Sequence, residues 1–353
     1  MDKIWWEETG GPRRFLESAT EFLADGGSVV LCLPKNLPWR DTMREVLYKL
    51  LDDKFSTTRM TETVDAKKIS KTPPKYVLEN FCANKSGFKL YDKAHAEFLA
   101  TRRNIALNDR CLWIRNASDA QVDEWFSFIA DYHGFLADRR GGTFLLEAGA
   151  NFKGTNTDGV KILAFDKEIS DYDCFAFNIM LAAEGGKNKL MKQYLAELVT
   201  RLTERNVELA AACMNCRDEF LNNPHDVFKR ILLEGNFTYA KTYEDIEQAI
   251  WVTQLKLIFP LIEDFRREVL LKKYYREISV ALPCDSAWQE KIERPEQAEL
   301  GILIHLVNMG KLWFQPPDWK ELLYYRDLRN KLAHLEILPL EEVQRIFDKS
   351  EEV

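Results

Sequence analysis

The sequence predicts an α/β N-terminal domain built on a small, mostly parallel sheet, followed by an all-α C-terminal domain. Three observations lead there. A continuous apolar run with β-branched residues, Ser28-Val29-Val30-Leu31-Cys32-Leu33, passes through a short loop into helical spacing at Met43, Val46, Leu47 and Leu50, which is how an α/β unit opens. Strand and helix patterns then alternate to about residue 168, after which the periodicity is helical alone. A chain of 353 residues exceeds the usual single domain, so the expected division is an α/β domain over 1–168, a helical middle over 169–245 and a helical C-terminal domain over 246–353.

The elements follow in order. A helix over 15–24 leads through Asp25-Gly26-Gly27 into the first strand. Cys111-Leu112-Trp113-Ile114 reads as a second strand, followed by an amphipathic helix over 120–134. Thr143-Phe144-Leu145-Leu146-Glu147 and the run 160–165 read as two more strands. The polar, proline-terminated stretch 54–74 reads as a mobile insertion. Leu190, Tyr194, Leu198 and Leu202 recur at helical spacing. Residues 246–283 form one long helical pattern that Pro260 should kink, and 284–294 is a polar loop. Residues 297–307 form a short apolar helix. Gln315-Pro316-Pro317-Asp318 then starts a helix that runs through His334, and 340–349 is the last helix.

Hydrophobic residues make up 46% and charged residues 30%, a globular composition rather than a disordered one. The net charge of −7 gives no overall attraction to nucleic acid or anionic lipid, so RNA binding would need a local basic surface. The first 14 residues lack the apolar core of a signal peptide, no run is long enough to span a bilayer, and seven scattered cysteines suit a reducing cytoplasm. A cytoplasmic protein with no membrane partner is expected.

The strand–loop–helix at 28–51 resembles the first unit of P-loop ATPases of the AAA+ kind, in topology only. A phosphate loop needs glycines, whose N–H groups wrap the phosphates, then Lys-Ser or Lys-Thr. Here Pro34-Lys35-Asn36-Leu37-Pro38-Trp39-Arg40-Asp41-Thr42 has no glycine, and two prolines remove donors. The second strand runs into Arg115-Asn116-Ala117 where acidic magnesium ligands are needed. The resemblance therefore implies a degenerate P-loop-like domain without ATP hydrolysis; an unrelated small α/β fold fits the same pattern.

Other candidate chemistry reads as structure. Cys213-Met214-Asn215-Cys216 has the spacing of half a zinc site, but its helical surroundings make both thiols ordinary helix residues. Gly185-Gly186-Lys187 follows a helix and reads as a turn. His95, His133 and His305 lack partners at catalytic spacing, and His305, between Ile304 and Leu306, reads as packed. Trp125, Phe126 and Phe128 sit at helical spacing and read as core rather than base-stacking residues. Neither a cofactor nor a metal is implied.

The C-terminal constellation is Tyr325-Arg326-Asp327-Leu328-Arg329-Asn330-Lys331-Leu332-Ala333-His334, followed by Pro339-Leu340-Glu341-Glu342-Val343. At about 100° per residue, Tyr325, Leu328, Leu332 and Leu335 share one stripe, the expected buried face, and Arg326, Arg329, Asn330 and His334 lie outside it. Asn330 and His334 are neighbours one turn apart, whereas Arg329 lies about 140° around from His334. Histidine titrates near neutrality and can move a 2′-OH proton, and arginine offers a phosphate-shaped donor fork.

Over roughly 246–353 this order resembles the HEPN family, whose Arg, polar residue and His form a metal-independent endoribonuclease site, usually completed across a homodimer. The resemblance implies catalytic roles for Arg329, Asn330 and His334. Arg326 and Lys331, with Arg266, Arg267, Lys272, Lys273 and Arg276 on the long helix, are the candidate RNA-binding residues. The implied function is an endoribonuclease serving as a toxin or anti-phage effector, with a regulatory protein partner at the N-terminal domain. The alternative is a non-catalytic assembly subunit that dimerises through this domain, with the Arg and His merely interacting with the helix dipole.

Overall fold

Ser28–Leu33 (β1) is buried at every position, as a strand covered on both faces must be. The computed structural model describes residues 1–55, 59–82, 92–101, 105–136, 141–285 and 291–351. In it, β1 belongs to a five-stranded sheet with Met60–Asp65 (β2), Arg110–Arg115 (β3), Thr143–Gly149 (β4) and Val160–Ala164 (β5). Every pairing in this sheet is parallel, in the order β2-β3-β4-β1-β5. The chain leaves the interior at β1 for the far edge at β2, returns through β3 and β4, then passes β1 to reach β5.

The chain folds into two compact units, Met1–Phe177 and Asn178–Val353. In the first, helices α1 (Gly10–Ala24), α2 (Arg40–Phe55), α3 (Pro73–Phe81), α4 (Asp92–Thr101) and α5 (Asp119–Leu136) cover the sheet. Strand alternation sorts the side chains between its faces. Val30, Cys32, Leu112, Ile114, Phe144 and Leu146 pack with Val77, Phe81, Leu99, Trp125, Phe128 and Ile129 of α3, α4 and α5. Alternation sends Val29, Leu31, Trp113, Leu145 and Glu147 to the other face, where α1 and α2 pack. The aromatic helix residues Trp125 and Phe128 are core, and Phe126 packs against them half-buried, its ring edge-on to Phe152.

Part of the stretch expected to be an insertion is strand β2. Its residues Met60-Thr61-Glu62-Thr63-Val64-Asp65 are mostly exposed or half-buried because it is an edge strand, so no apolar run announces it. Residues 56–58 of that stretch lie outside the described residues.

After α6 (Phe165–Glu168) and α7 (Asp171–Ala183), Gly185-Gly186-Lys187 forms the turn into α8 (Lys189–Thr203). The second unit continues with α9 (Val207–Asn215), α10 (Arg217–Asn222), α11 (Pro224–Glu234) and α12 (Tyr243–Asp264). A π-helical turn, Phe265–Leu271, joins α12 to α13 (Lys272–Ala281), and α14 (Leu300–Asn308), α15 (Pro316–Ala333) and α16 (Leu340–Glu351) complete it. α12 packs against α8, α15 and α16. A reciprocal cap between Thr242 and Asp245 starts it.

The long helical pattern expected over 246–283 is divided beyond Pro260. Pro260 lies within α12, and the irregularities come later, in the π turn and at Tyr274 (φ −116°). A proline removes one helical hydrogen bond; the buried face of Leu257, Ile258 and Ile262 runs through it unbroken. The loop expected over 284–294 carries a minimal antiparallel pair, Cys284–Asp285 with Lys291–Ile292, and residues 286–290 lie outside the described residues. No helix among the described residues is long and apolar enough to cross a membrane.

Candidate functional site at the end of α15

Prolines occupy the first turn of α15, where the missing N–H costs nothing. Asp318 in that turn accepts hydrogen bonds from the Tyr274 hydroxyl and from Lys273 (2.7 Å). Leu322, Tyr325, Leu328 and Leu332 form the buried face, with the Tyr325 ring stacked on Phe265 at 4.4 Å. The expected stripe stops there. Leu335 is 67% exposed, because the helix ends at Ala333 and Leu335 has left the helical path at φ +65°.

That positive φ builds a Schellman turn. The Glu336 N–H donates to the Lys331 carbonyl (2.9 Å) and the Leu335 N–H to the Leu332 carbonyl (3.3 Å). Glycine normally takes the left-handed position; a leucine there costs about 1–2 kcal/mol. Two α12 side chains hold the turn. Trp251 Nε1 donates to the Leu332 carbonyl (2.8 Å). Gln254, 1% exposed, donates Nε2 to the Leu338 carbonyl (2.9 Å) and accepts the Leu338 N–H (2.8 Å). His334 sits at the helix cap, its own N–H donating to Asn330 (3.0 Å) and Lys331 (3.1 Å) carbonyls.

Asn330 and His334 are exposed and Arg329 is half-buried. Arg329 Nη2 reaches Glu299, just ahead of α14, at 2.9 Å. The flanking cations are paired too, Arg326 with Asp327 (2.6 Å) and Lys331 with Glu342 (3.2 Å). Pairs this exposed are each worth about 0–1 kcal/mol, so an incoming phosphate competes with them at little cost.

The basic track on the long helix is largely neutralised. Arg266 is held by Glu263 (2.9 Å) and by the carbonyls of Glu296 and Ala298, Lys272 by Glu268 (3.5 Å) and Lys273 by Asp318. Arg267 and Arg276 are exposed and make no ion pair among the described residues. Sequence reading missed Glu299, Trp251 and Gln254. Their side chains meet the motif only through folding, and a lone Gln in an apolar helix face was the one available signal.

The other histidines divide. His305 is exposed, not packed, since it faces away from Leu303, Ile304 and Leu306. His133 has the serine partner that spacing could not reveal: Ser28 Oγ is 2.7 Å from its Nε2 and also accepts the Phe144 N–H (2.9 Å). Burial pushes the His133 imidazole down to about 4, with Asp158 opposing. Ser28 is wholly buried, so the pair ties β1 to β4 and α5 instead of presenting a nucleophile. Cys213 is buried in α9, and burial pushes its thiol well up. Cys216 follows the helix end, 3.9 Å from Arg230 Nη2.

In the N-terminal unit, the loop after β1 is closed by Arg40, whose Nη2 donates to the Pro34 carbonyl (2.7 Å). Comparison with known proteins finds no family model and no curated protein that matches the chain.

Proposed function

We propose that the C-terminal helices form a HEPN-type, metal-independent endoribonuclease that acts as a homodimer. The observation that carries this reading is the position of Arg329, Asn330 and His334. All three stand outside the core face, on a helix end fastened by Trp251, Gln254 and the Schellman turn. A base must be held against its substrate to act, and this helix end holds one.

In the proposed reaction, His334 takes the 2′-OH proton as the oxygen attacks the adjacent phosphorus. The 5′-oxygen leaves with a proton from the partner protomer's imidazolium, giving a 2′,3′-cyclic phosphate. Arg329 leaves Glu299 to stabilise the charge on the phosphate, and Asn330 orients the imidazole. The pairing of Arg329 toward α14 is why a second protomer is invoked: two copies side by side would place two arginines and two histidines around one groove. The N-terminal unit would be a degenerate P-loop-like sensor or dock for a regulatory partner, its inner strand β1 flanked by β4 and β5, in a cytoplasmic toxin or anti-phage effector.

The test is RNA cleavage in EDTA. His334→Ala should lose about 10²–10⁴-fold in rate and Arg329→Ala about 10²–10³-fold, with circular dichroism unchanged. Variants that cut like the parent would end the proposal. The second reading, a non-catalytic dimerisation module, is favoured by the pairing of Arg326, Arg329 and Lys331 with carboxylates of their own chain. It predicts dimers and no cleavage.

A further inference from the structure

The carboxyl ends of β1, β3 and β4 border a cavity of about 690 Å³ lined by Lys35, Arg40, Arg44, Glu147, Phe152 and Lys153, with Asp119 and Asp123 also on its wall. Ligands of open parallel sheets bind beyond the carboxyl ends of the strands, where neighbouring connections diverge. That divergence occurs here, since β1 connects toward β2 and β4 connects toward β5.

The charges beneath the cavity do not balance. Glu147, 7% exposed, accepts from Arg44 Nε (3.0 Å), Arg44 Nη2 (2.6 Å) and Trp113 Nε1 (3.1 Å). Arg40 and Arg115 come no closer to it than 3.9 Å. Arg115 lies 3.7 Å over the Trp113 ring, and its buried Nε has no hydrogen-bond partner among the described residues. Asp41 approaches Arg44 at 3.6 Å but is 94% exposed, so water screens it. Three half-buried guanidiniums thus face one buried carboxylate, an excess of two positive charges. Lys35 and Lys153 at the rim are offset by Asp119 and Asp123.

Arg40 and Arg44 also lie in the first turns of α2, where the helix dipole opposes cations and favours anions. Burial holds the Arg40 and Arg115 guanidiniums below their ordinary range, against the pull of Glu147. Buried cations in excess of their carboxylates are costly unless an anion joins them.

We propose that this cavity binds a small phosphate monoester. Its dianionic phosphate meets Arg40 and Arg44 and closes the excess of two charges, and its organic part lies along Phe152 beneath Asp119 and Asp123. The volume exceeds what a bare phosphate ion fills, which is why an ester is chosen. Arginine forks match phosphate oxygens in pairs, so the loop needs no glycine. This inference is independent of the nuclease reading.

Calorimetric titration of the full chain at constant ionic strength tests it, with ribose 5-phosphate, AMP and inorganic phosphate as probes. One saturable site is expected for at least one ester, with inorganic phosphate about tenfold weaker. The better of the two esters tells a phosphosugar from a nucleotide. Arg40→Gln should weaken the ester about tenfold or more. The exposed pair Lys35→Gln and Lys153→Gln should weaken it several-fold with an unchanged circular dichroism spectrum, which guards against a misfolded Arg40 variant. No heat with any probe, ester and phosphate binding equally, or unchanged binding in the lysine variants would overturn the proposal.

Discussion

Replacing Gln254 by methionine should destabilise the helical unit and disable the motif 80 residues away without touching it. Methionine keeps nearly the volume of glutamine, so packing is spared and only the amide is lost. Two backbone groups of Leu338, itself 2% exposed, then lose their partner. A buried polar group left unpaired costs about 1–3 kcal/mol, so the pair should cost about 2–6 kcal/mol. Against a total stability of about 5–15 kcal/mol that is a large fraction. A unit of this size should melt about 4–24 °C lower, at about 2–4 °C per kcal/mol. Urea titration followed by circular dichroism reads the loss. At permissive temperature the turn over 334–338 would detach from α12, and RNA cleavage should fall even though Arg329, Asn330 and His334 are intact. A cost below about 1 kcal/mol would refute the reasoning, for it would mean that Leu338 finds water when the amide is gone.

Two further predictions concern stability. His133 is held neutral in the fold, down at about 4, so the unfolded chain binds its proton first as pH falls. Its contribution is complete above about pH 6.5, declines as pH falls toward 4 and is gone below that, amounting to about 2–3 kcal/mol. Denaturation midpoints between pH 7 and 4 should show that slope and His133→Gln should flatten it; parallel curves for the two proteins would refute it. Leu335→Gly should stabilise: relief of the left-handed leucine, about 1–2 kcal/mol, outweighs the roughly 0.5–1 kcal/mol of chain entropy that glycine costs. Leu335 is largely exposed, so little burial is lost, and a higher melting temperature with unchanged cleavage is the expected result.

Inner strands β1, β3 and β4 were legible from sequence because strands covered on both faces are mainly apolar, edge strand β5 because Val160, Ile162, Leu163 and Ala164 still form an apolar run, and so was most of the buried face of α15, which keeps the helical period. The motif residues were legible as lying off that face. Local pattern failed where water or chain geometry ruled instead. Edge strand β2 carries polar residues because it has only one strand neighbour, and Leu335 fits the helical stripe but lies beyond the turn that ends the helix.

What the sequence by itself determined is therefore the succession of elements and the side from which the motif faces water, since both follow from periodicity over a few residues. Only the tertiary structure decided the partnerships across long spans: Ser28 with His133, Arg44 with Glu147, Gln254 with Leu338 and Arg329 with Glu299. A hydrogen bond or ion pair acts over a few ångströms, and residues 30 to 105 positions apart come that close only once sheet order and helix packing have folded the chain between them.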